Sequence, residues 1–183
     1  MQLNSYSFLF VFLPAILVGY YLLPKKNSRI SLIWLTAASL VFYGWSKPVY
    51  LALLAFSITL NYIVGAKFLN RYTASQINKK LVLIVGIAVN VLLLGYFKYA
   101  NFFLDNVNSL LGLNLELQAV VLPIAISFFT IQQIAYLVDA YRGGLSEHSL
   151  LEYCTFITFF PKLLSGPIVR FKEMMPEIAS SKR

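Results

Sequence analysis

The sequence predicts an all-α fold, a polytopic transmembrane helix bundle with a broken or re-entrant helix near its C-terminus. Three observations carry this expectation. Of the 183 residues, 59% are hydrophobic and only 12% are charged, and mean hydropathy is +0.73; soluble domains carry about 25% charged residues. Apolar runs divide the chain at about 7–23, 30–46, 48–66, 81–98, 119–138 and 150–165, and all but the last have the length a bilayer crossing requires. The last run contains Pro161 and is followed by Gly166-Pro167, which interrupts a helix.

The run at 7–23 has the length of a secretory leader. No basic residue precedes it, and Tyr20-Tyr21-Leu22-Leu23-Pro24 follows instead of a small-residue cleavage site, so it reads as a retained first span. Aromatic residues then mark where the runs meet the headgroups: Tyr20-Tyr21, Phe42-Tyr43 with Trp45, and Tyr96-Phe97 with Tyr99. Lys98, at the end of the 81–98 run, can extend its ammonium outward from a helix end.

The net charge of +8 lies between the runs, where cations set orientation and meet anionic lipid. An external N-terminus gathers Lys25, Lys26, Arg29, Lys67, Arg71, Lys79, Lys80 and Arg142 inside and leaves Lys47 and Lys98 outside, eight against two. That asymmetry predicts a multi-pass protein of the cell (inner or plasma) membrane with an extracytoplasmic N-terminus. No basic face interleaved with aromatics is present, so nucleic acid is not an expected partner. Cys154 is the single cysteine; it excludes an intrachain disulfide and reads as a small buried filler.

The segment LPIAISFFTIQQIAYLVDAYRG, residues 122–143, is apolar yet carries groups that lipid penalises. At helical spacing Gln132, Tyr136 and Asp139 share one face, while Ser127, Thr130 and Gln133 spread over the rest. Unpaired amides cost several kcal/mol per group in hydrocarbon by transfer estimates of roughly that size. The helix must therefore lie inside protein. Two readings stay open: interhelical hydrogen bonding, or the wall of a polar passage or substrate cavity. Pro123 is expected in its first turn, and Asp139 is expected to pair locally with Arg142, three residues along the same face.

In FFPKLLSGPIVRF, residues 159–171, irregular backbone at membrane depth requires protein or a cavity to satisfy it. Arg170 would meet a headgroup or a structural partner, or else a phosphate or carboxylate of a substrate. The cavity-lining candidates are thus Gln132, Gln133, Tyr136, Asp139 and Arg170. His148, beside Glu147 between two runs, is expected to be a solvated loop residue. The chain contains no H-E-x-x-H, C-x-x-C, Walker loop or G-x-S-x-G, so the residues alone nominate no catalytic group and no metal site.

These stretches, in their order, resemble the membrane-bound O-acyltransferase family, in its alginate O-acetyltransferase-like branch. The matching segments are SFLFVFLP (7–14), SLVFYGWSKPVYLALLAFSITLNYIVG (39–65), LGYFKYANFFLDNVN (94–108), LPIAISFFTIQQIAYLVDAYRG (122–143) and FITFFPKLLSGPIVRF (156–171). Ala125 stands where that branch usually has glycine, and Ile131 where it has phenylalanine. The resemblance implies transfer of an acyl group, expected to be acetyl, from a donor reached from the cytoplasm to a hydroxyl of an extracytoplasmic polysaccharide or envelope acceptor. It implies no bound cofactor and does not identify the donor. The family's catalytic histidine lies in a later W-H stretch; Trp34 and Trp45 are not followed by histidine. Residues 1–183 are therefore expected to be the N-terminal portion of one transmembrane domain, inactive alone and completed by a C-terminal half. The alternative is a non-catalytic membrane scaffold or passage subunit working with a partner chain.

Overall fold

The computed structural model describes residues 5–23, 28–45, 48–71, 78–111, 122–123, 125–163 and 169–180, and their regular structure is helical throughout. The Gly166-Pro167 turn and the cations Lys25, Lys26 and Lys47 lie outside the described residues. A π-helical turn, Phe8–Phe12, leads into α1 (Leu13–Leu22), followed by α2 (Ser28–Gly44). Helix α3 (Val49–Tyr62) runs on as a π-helical stretch, Ile63–Arg71. Then come α4 (Lys79–Leu111), α5 (Ile126–Tyr141), α6 (Leu150–Thr158), α7 (Phe160–Leu163) and α8 (Phe171–Ser180).

Among the described residues, two helices are long and apolar enough to cross a membrane: Val49–Leu69, of 21 residues, and Lys79–Leu111, of 33. The helices Phe8–Leu22 and Arg29–Gly44 are apolar but shorter. The apolar run at 81–98 underestimates α4. Beyond Lys98 the sequence YANFFLDNVNSLL offers no proline or glycine, so the helix continues to Leu111. At 1.5 Å per residue it is about 50 Å long, well beyond a hydrocarbon core of about 30 Å.

One further boundary differs from the sequence expectation, and the expected break in the last run takes a definite place. Helix α5 begins at Ile126, after Ala125 in a left-handed conformation (φ 58°, ψ 19°). Pro123 therefore precedes the helix instead of occupying its first turn, and its carbonyl accepts from the Ile126 amide at 3.3 Å. The 150–165 run forms two helices broken at Phe159 (φ −51°, ψ 102°). A continuous helix would set the Pro161 ring against the carbonyl of Ile157. Breaking it two residues earlier puts Pro161 in the first turn of α7, where no donor is needed. The Phe160 amide freed by the break donates to Ser39 Oγ of α2 at 3.3 Å.

The principal core joins α3, α5, α6 and α8 through Leu54, Ile58, Phe129, Leu137, Phe156 and Phe171. A second cluster gathers the rings of Phe8, Phe12, Phe42 and Phe160, with Phe8–Phe42 centroids 5.5 Å apart in edge-to-face geometry. Trp34 of α2 donates its indole N–H to the Ile16 carbonyl at 3.1 Å, and its ring occupies the space beside Gly19 that a Cβ would need. Between α2 and α6, Thr36 donates to Thr155 Oγ1 at 2.7 Å, since the Thr155 hydroxyl proton is committed to the Leu151 carbonyl.

Candidate functional site

Helix α5 is enclosed by the others, as its polar composition predicts. Gln132 and Gln133 are 1% and 0% exposed, whereas Leu9 in the first helix is 45% exposed. The two glutamines serve different faces. Gln133 Oε1 accepts from Ser57 Oγ at 2.8 Å and from Asn61 Nδ2 at 3.2 Å, tying α5 to α3. Asn61 Oδ1 in turn accepts from Asn90 of α4 at 2.7 Å, and Asn90 also donates to the Gly86 carbonyl at 2.8 Å. Three helices are thus stapled by one amide network, each bond contributing about 0.6 kcal/mol in a membrane.

On the other face stand Gln132, Tyr136 and Asp139, all buried. Neither amide atom of Gln132 has a hydrogen-bond partner among the described residues, nor has Asp139 Oδ2; off this face, Gln133 Nε2 and Thr130 Oγ1 of α5 and Tyr153 Oη of α6 are likewise unpartnered. Buried polar groups are normally paired. This face therefore has hydrogen-bonding capacity that the described protein does not consume, and it can receive a ligand's donors and acceptors.

At its lower end the face closes on two contacts. Asp139 Oδ1 lies 4.0 Å from the Arg170 guanidinium, with the aspartate side chain 8% and the arginine 51% exposed. This corrects the expected Asp139–Arg142 pair. Arg142 is the exposed C-cap of α5, where the chain turns away through Gly143 at φ 69°, while the Asp139 side chain points into the bundle. The segment before α8 brings Arg170 to it from the far side, an ion pair of about 1 kcal/mol at most given the arginine's exposure.

The second contact involves His148, which is not a freely solvated residue. Its Nδ1 lies 2.8 Å from the Ser146 carbonyl and its Nε2 lies 2.8 Å from Tyr136 Oη. A carbonyl only accepts, so Nδ1 carries the proton in the neutral ring and Tyr136 donates to Nε2. The imidazole sits among Phe171, Tyr136 and Tyr62, with centroids 4.6, 5.6 and 5.8 Å away, and Tyr62 Oη donates to the His148 carbonyl at 3.1 Å. A sequence signal for this was present. Ser149-Leu150-Leu151-Glu152 is a capping box, with Glu152 N–H to Ser149 Oγ at 3.3 Å and Ser149 N–H to Glu152 Oε2 at 2.6 Å. Such a box fixes the helix start and so marks where the preceding loop ends. Tyr62 and Phe171 had no comparable signal. Among the described residues no group of histidine, cysteine and acidic side chains is arranged to hold a metal.

No family model matches the chain, and no solved structure matches it. It is 41% identical to a peptidoglycan O-acetyltransferase of Helicobacter pylori, over 95% of this chain and 38% of that protein. It is 37% identical to the probable alginate O-acetylase AlgI of Pseudomonas aeruginosa, over 97% of this chain and 34% of the relative. Identity to the Pseudomonas putida protein of the same name is also 37%, over 97% and 37%. The chain spans a little over a third of the length of these curated relatives. These relatives are O-acetyltransferases by name, and a match over almost the whole of this chain bears out its resemblance to the membrane-bound O-acyltransferase family.

Proposed function

We propose that the chain is the N-terminal portion of an enzyme that transfers an acyl group, acetyl by analogy with its relatives, to a hydroxyl of an extracytoplasmic polysaccharide or other envelope acceptor. The similarity of 41% over 95% of the chain to a peptidoglycan O-acetyltransferase carries this reading. In this reading the protein is multi-pass with its N-terminus outside, and the α6–α7 break is the turning point of a re-entrant element.

The residues present would build one wall of the reaction chamber. Gln132, Tyr136 and Asp139 line it, Gln133 anchors the helix that carries them, and Arg170 holds Asp139 at its inner end. Gln132 offers a donor and an acceptor with no competing partner among the described residues, which suits the hydroxyls of a sugar or the carbonyl of an acyl group. The general base, a histidine in the family's later W-H stretch, would take the proton of the acceptor hydroxyl. No catalytic role falls to a residue of this chain. The acyl donor would be a substrate, not a resident cofactor.

The test is to express the chain together with the coding sequence that follows it, in membranes given a labelled acetyl thioester with peptidoglycan or alginate. Label should enter one of the two polymers, and Gln132→Leu should reduce it by about tenfold or more through lost orientation. Absence of label from both acceptors, with the protein well expressed, would overturn the assignment.

A further inference from the structure

We propose that residues 143–149 form a lid over the inner end of the α5 polar face, latched by His148 and hinged at Gly143-Gly144. The inference rests on reading that face as the chamber wall, and it assigns to the chamber a regulated entrance on the loop side, through which the acyl donor would pass.

The lid is one chain thick. Gly144, Leu145, Ser146 and His148 line a cleft of about 310 Å³ shared with Phe171 and Lys172. One of these residues also touches the polar face of α5, since His148 meets Tyr136 Oη at 2.8 Å, while the Gly144 amide caps the end of the helix by donating to the Asp139 main-chain carbonyl at 3.0 Å. Withdrawing His148 with this segment would open the cleft toward the Tyr136 hydroxyl.

The segment is built to move at one end and to be held at the other. Gly143 adopts φ 69°, with nothing within 4 Å of where a Cβ would lie, and a Cβ at Gly144 would meet only the Asp139 carbonyl at 3.5 Å. Glycine at such a position adopts left-handed and extended backbone with equal ease. The other end is fixed by the Ser149–Glu152 capping box, so motion would pivot between them. Gly143, Gly144, Ser146 and Glu147 are exposed, and Leu145 is buried. Leu145 packs into the principal core, and His148 adds the polar and ring contacts that fasten the segment to the bundle. Its ring bonds Tyr136 and stacks with Phe171, and its carbonyl accepts from Tyr62. Those three partners belong to α5, α8 and α3, so one residue fastens the lid to three helices.

Amide hydrogen exchange of the full-length protein in lipid nanodiscs tests this without measuring acyl transfer. His148→Ala should raise exchange across 143–149 by about fivefold to tenfold, the loss expected for one buried hydrogen bond and its ring contacts. Exchange within 127–138 should not change. Tyr136→Phe keeps the ring packing and removes only the hydroxyl, so it should loosen the same segment; combined with His148→Ala it should add little, because both remove one bond. Unchanged exchange in 143–149 for both variants would overturn the latch. An equal rise throughout α5 would also overturn it, by making His148 a support of the bundle and not of a lid. Failure of the labelling experiment with the lid behaviour intact would count against the acyltransferase reading alone.

Discussion

The Tyr136 ring rests against the backbone of Gly65, in the π-helical stretch that extends α3, closely enough that a Cβ on Gly65 would overlap the phenol. The contact lets α5 approach α3 and aims the Tyr136 hydroxyl at His148. Gly65→Ala must therefore displace either the ring or the helix, and a loss of about 1–3 kcal/mol is expected, as for an overpacked core. Gly95 in α4 is the control: nothing lies within 4 Å of its Cβ position. Gly95→Ala should be neutral or stabilising by up to about 1 kcal/mol through helix propensity. Thermal unfolding of both variants in detergent separates the two effects.

Ala125 pays for a left-handed backbone without glycine's freedom. The conformation at φ 58° ends the approach to α5 and lets the amides of Phe128 and Phe129 donate to the Ala125 carbonyl, both at 3.0 Å. An L-residue loses about 1–2 kcal/mol there, partly offset by glycine's larger entropy loss on folding. Ala125→Gly should raise stability by about 0.5–1 kcal/mol, and Ala125→Val should lower it further than alanine does. The reverse order in a thermal shift measurement would contradict a left-handed residue at 125. The branch that this sequence resembles usually has glycine here, and the backbone supplies the physical reason.

How far these features were legible depends on the range of the interaction. The enclosure of α5 was readable because Gln132, Tyr136 and Asp139 on one face, with Ser127, Thr130 and Gln133 over the rest, put polar groups on several sides of the helix. The break before Pro161 was readable because proline's missing donor acts within one turn, although its position at Phe159 depends on Ser39 of α2 accepting the freed amide. The partner of Asp139 was not readable. Arg142 is near in sequence, Arg170 is near in space, and only tertiary packing distinguishes them. The full length of α4 was obscured by hydropathy, which reports where lipid ends and not where a helix ends.

The Asn61–Asn90 pair should behave as a unit. Asn90→Ala leaves Asn61 Oδ1 without its 2.7 Å donor in a buried site, at an expected cost of about 1–2 kcal/mol. Asn61→Ala removes the partner of Asn90 and one of the two donors to Gln133 Oε1. The double variant should cost less than the sum of the singles by about 0.5–1.5 kcal/mol. Strict additivity in a double-mutant cycle would mean that the two amides do not share a bond.

Orientation is open to direct measurement. The distribution of cations predicts that a cysteine at position 2 is labelled from outside and one at position 75 from inside, in a Cys154→Ala background. The loop with position 75 is flanked by Lys67, Arg71, Lys79 and Lys80, the largest group of cations in the sequence expectation. External labelling at position 75 would invert the topology and move the proposed lid to the opposite side of the membrane.

The final prediction is that this chain by itself transfers no acyl group. The resemblance places the base in a W-H stretch, and neither Trp34 nor Trp45 is followed by histidine. His148 is the single histidine, and both of its nitrogens are engaged within the protein, by Tyr136 and by the Ser146 carbonyl. A positioned base contributes about 10²–10⁴-fold, and without the facing wall of the chamber the orientation of donor and acceptor would be lost as well. The chain purified in detergent, supplied with an acetyl thioester and polysaccharide, should show only background turnover. Robust transfer that survives His148→Ala would mean that the chemistry needs no histidine at all. Transfer abolished by His148→Ala but retained in Tyr136→Phe would instead make the imidazole itself the base, released from its hydroxyl partner when the lid opens.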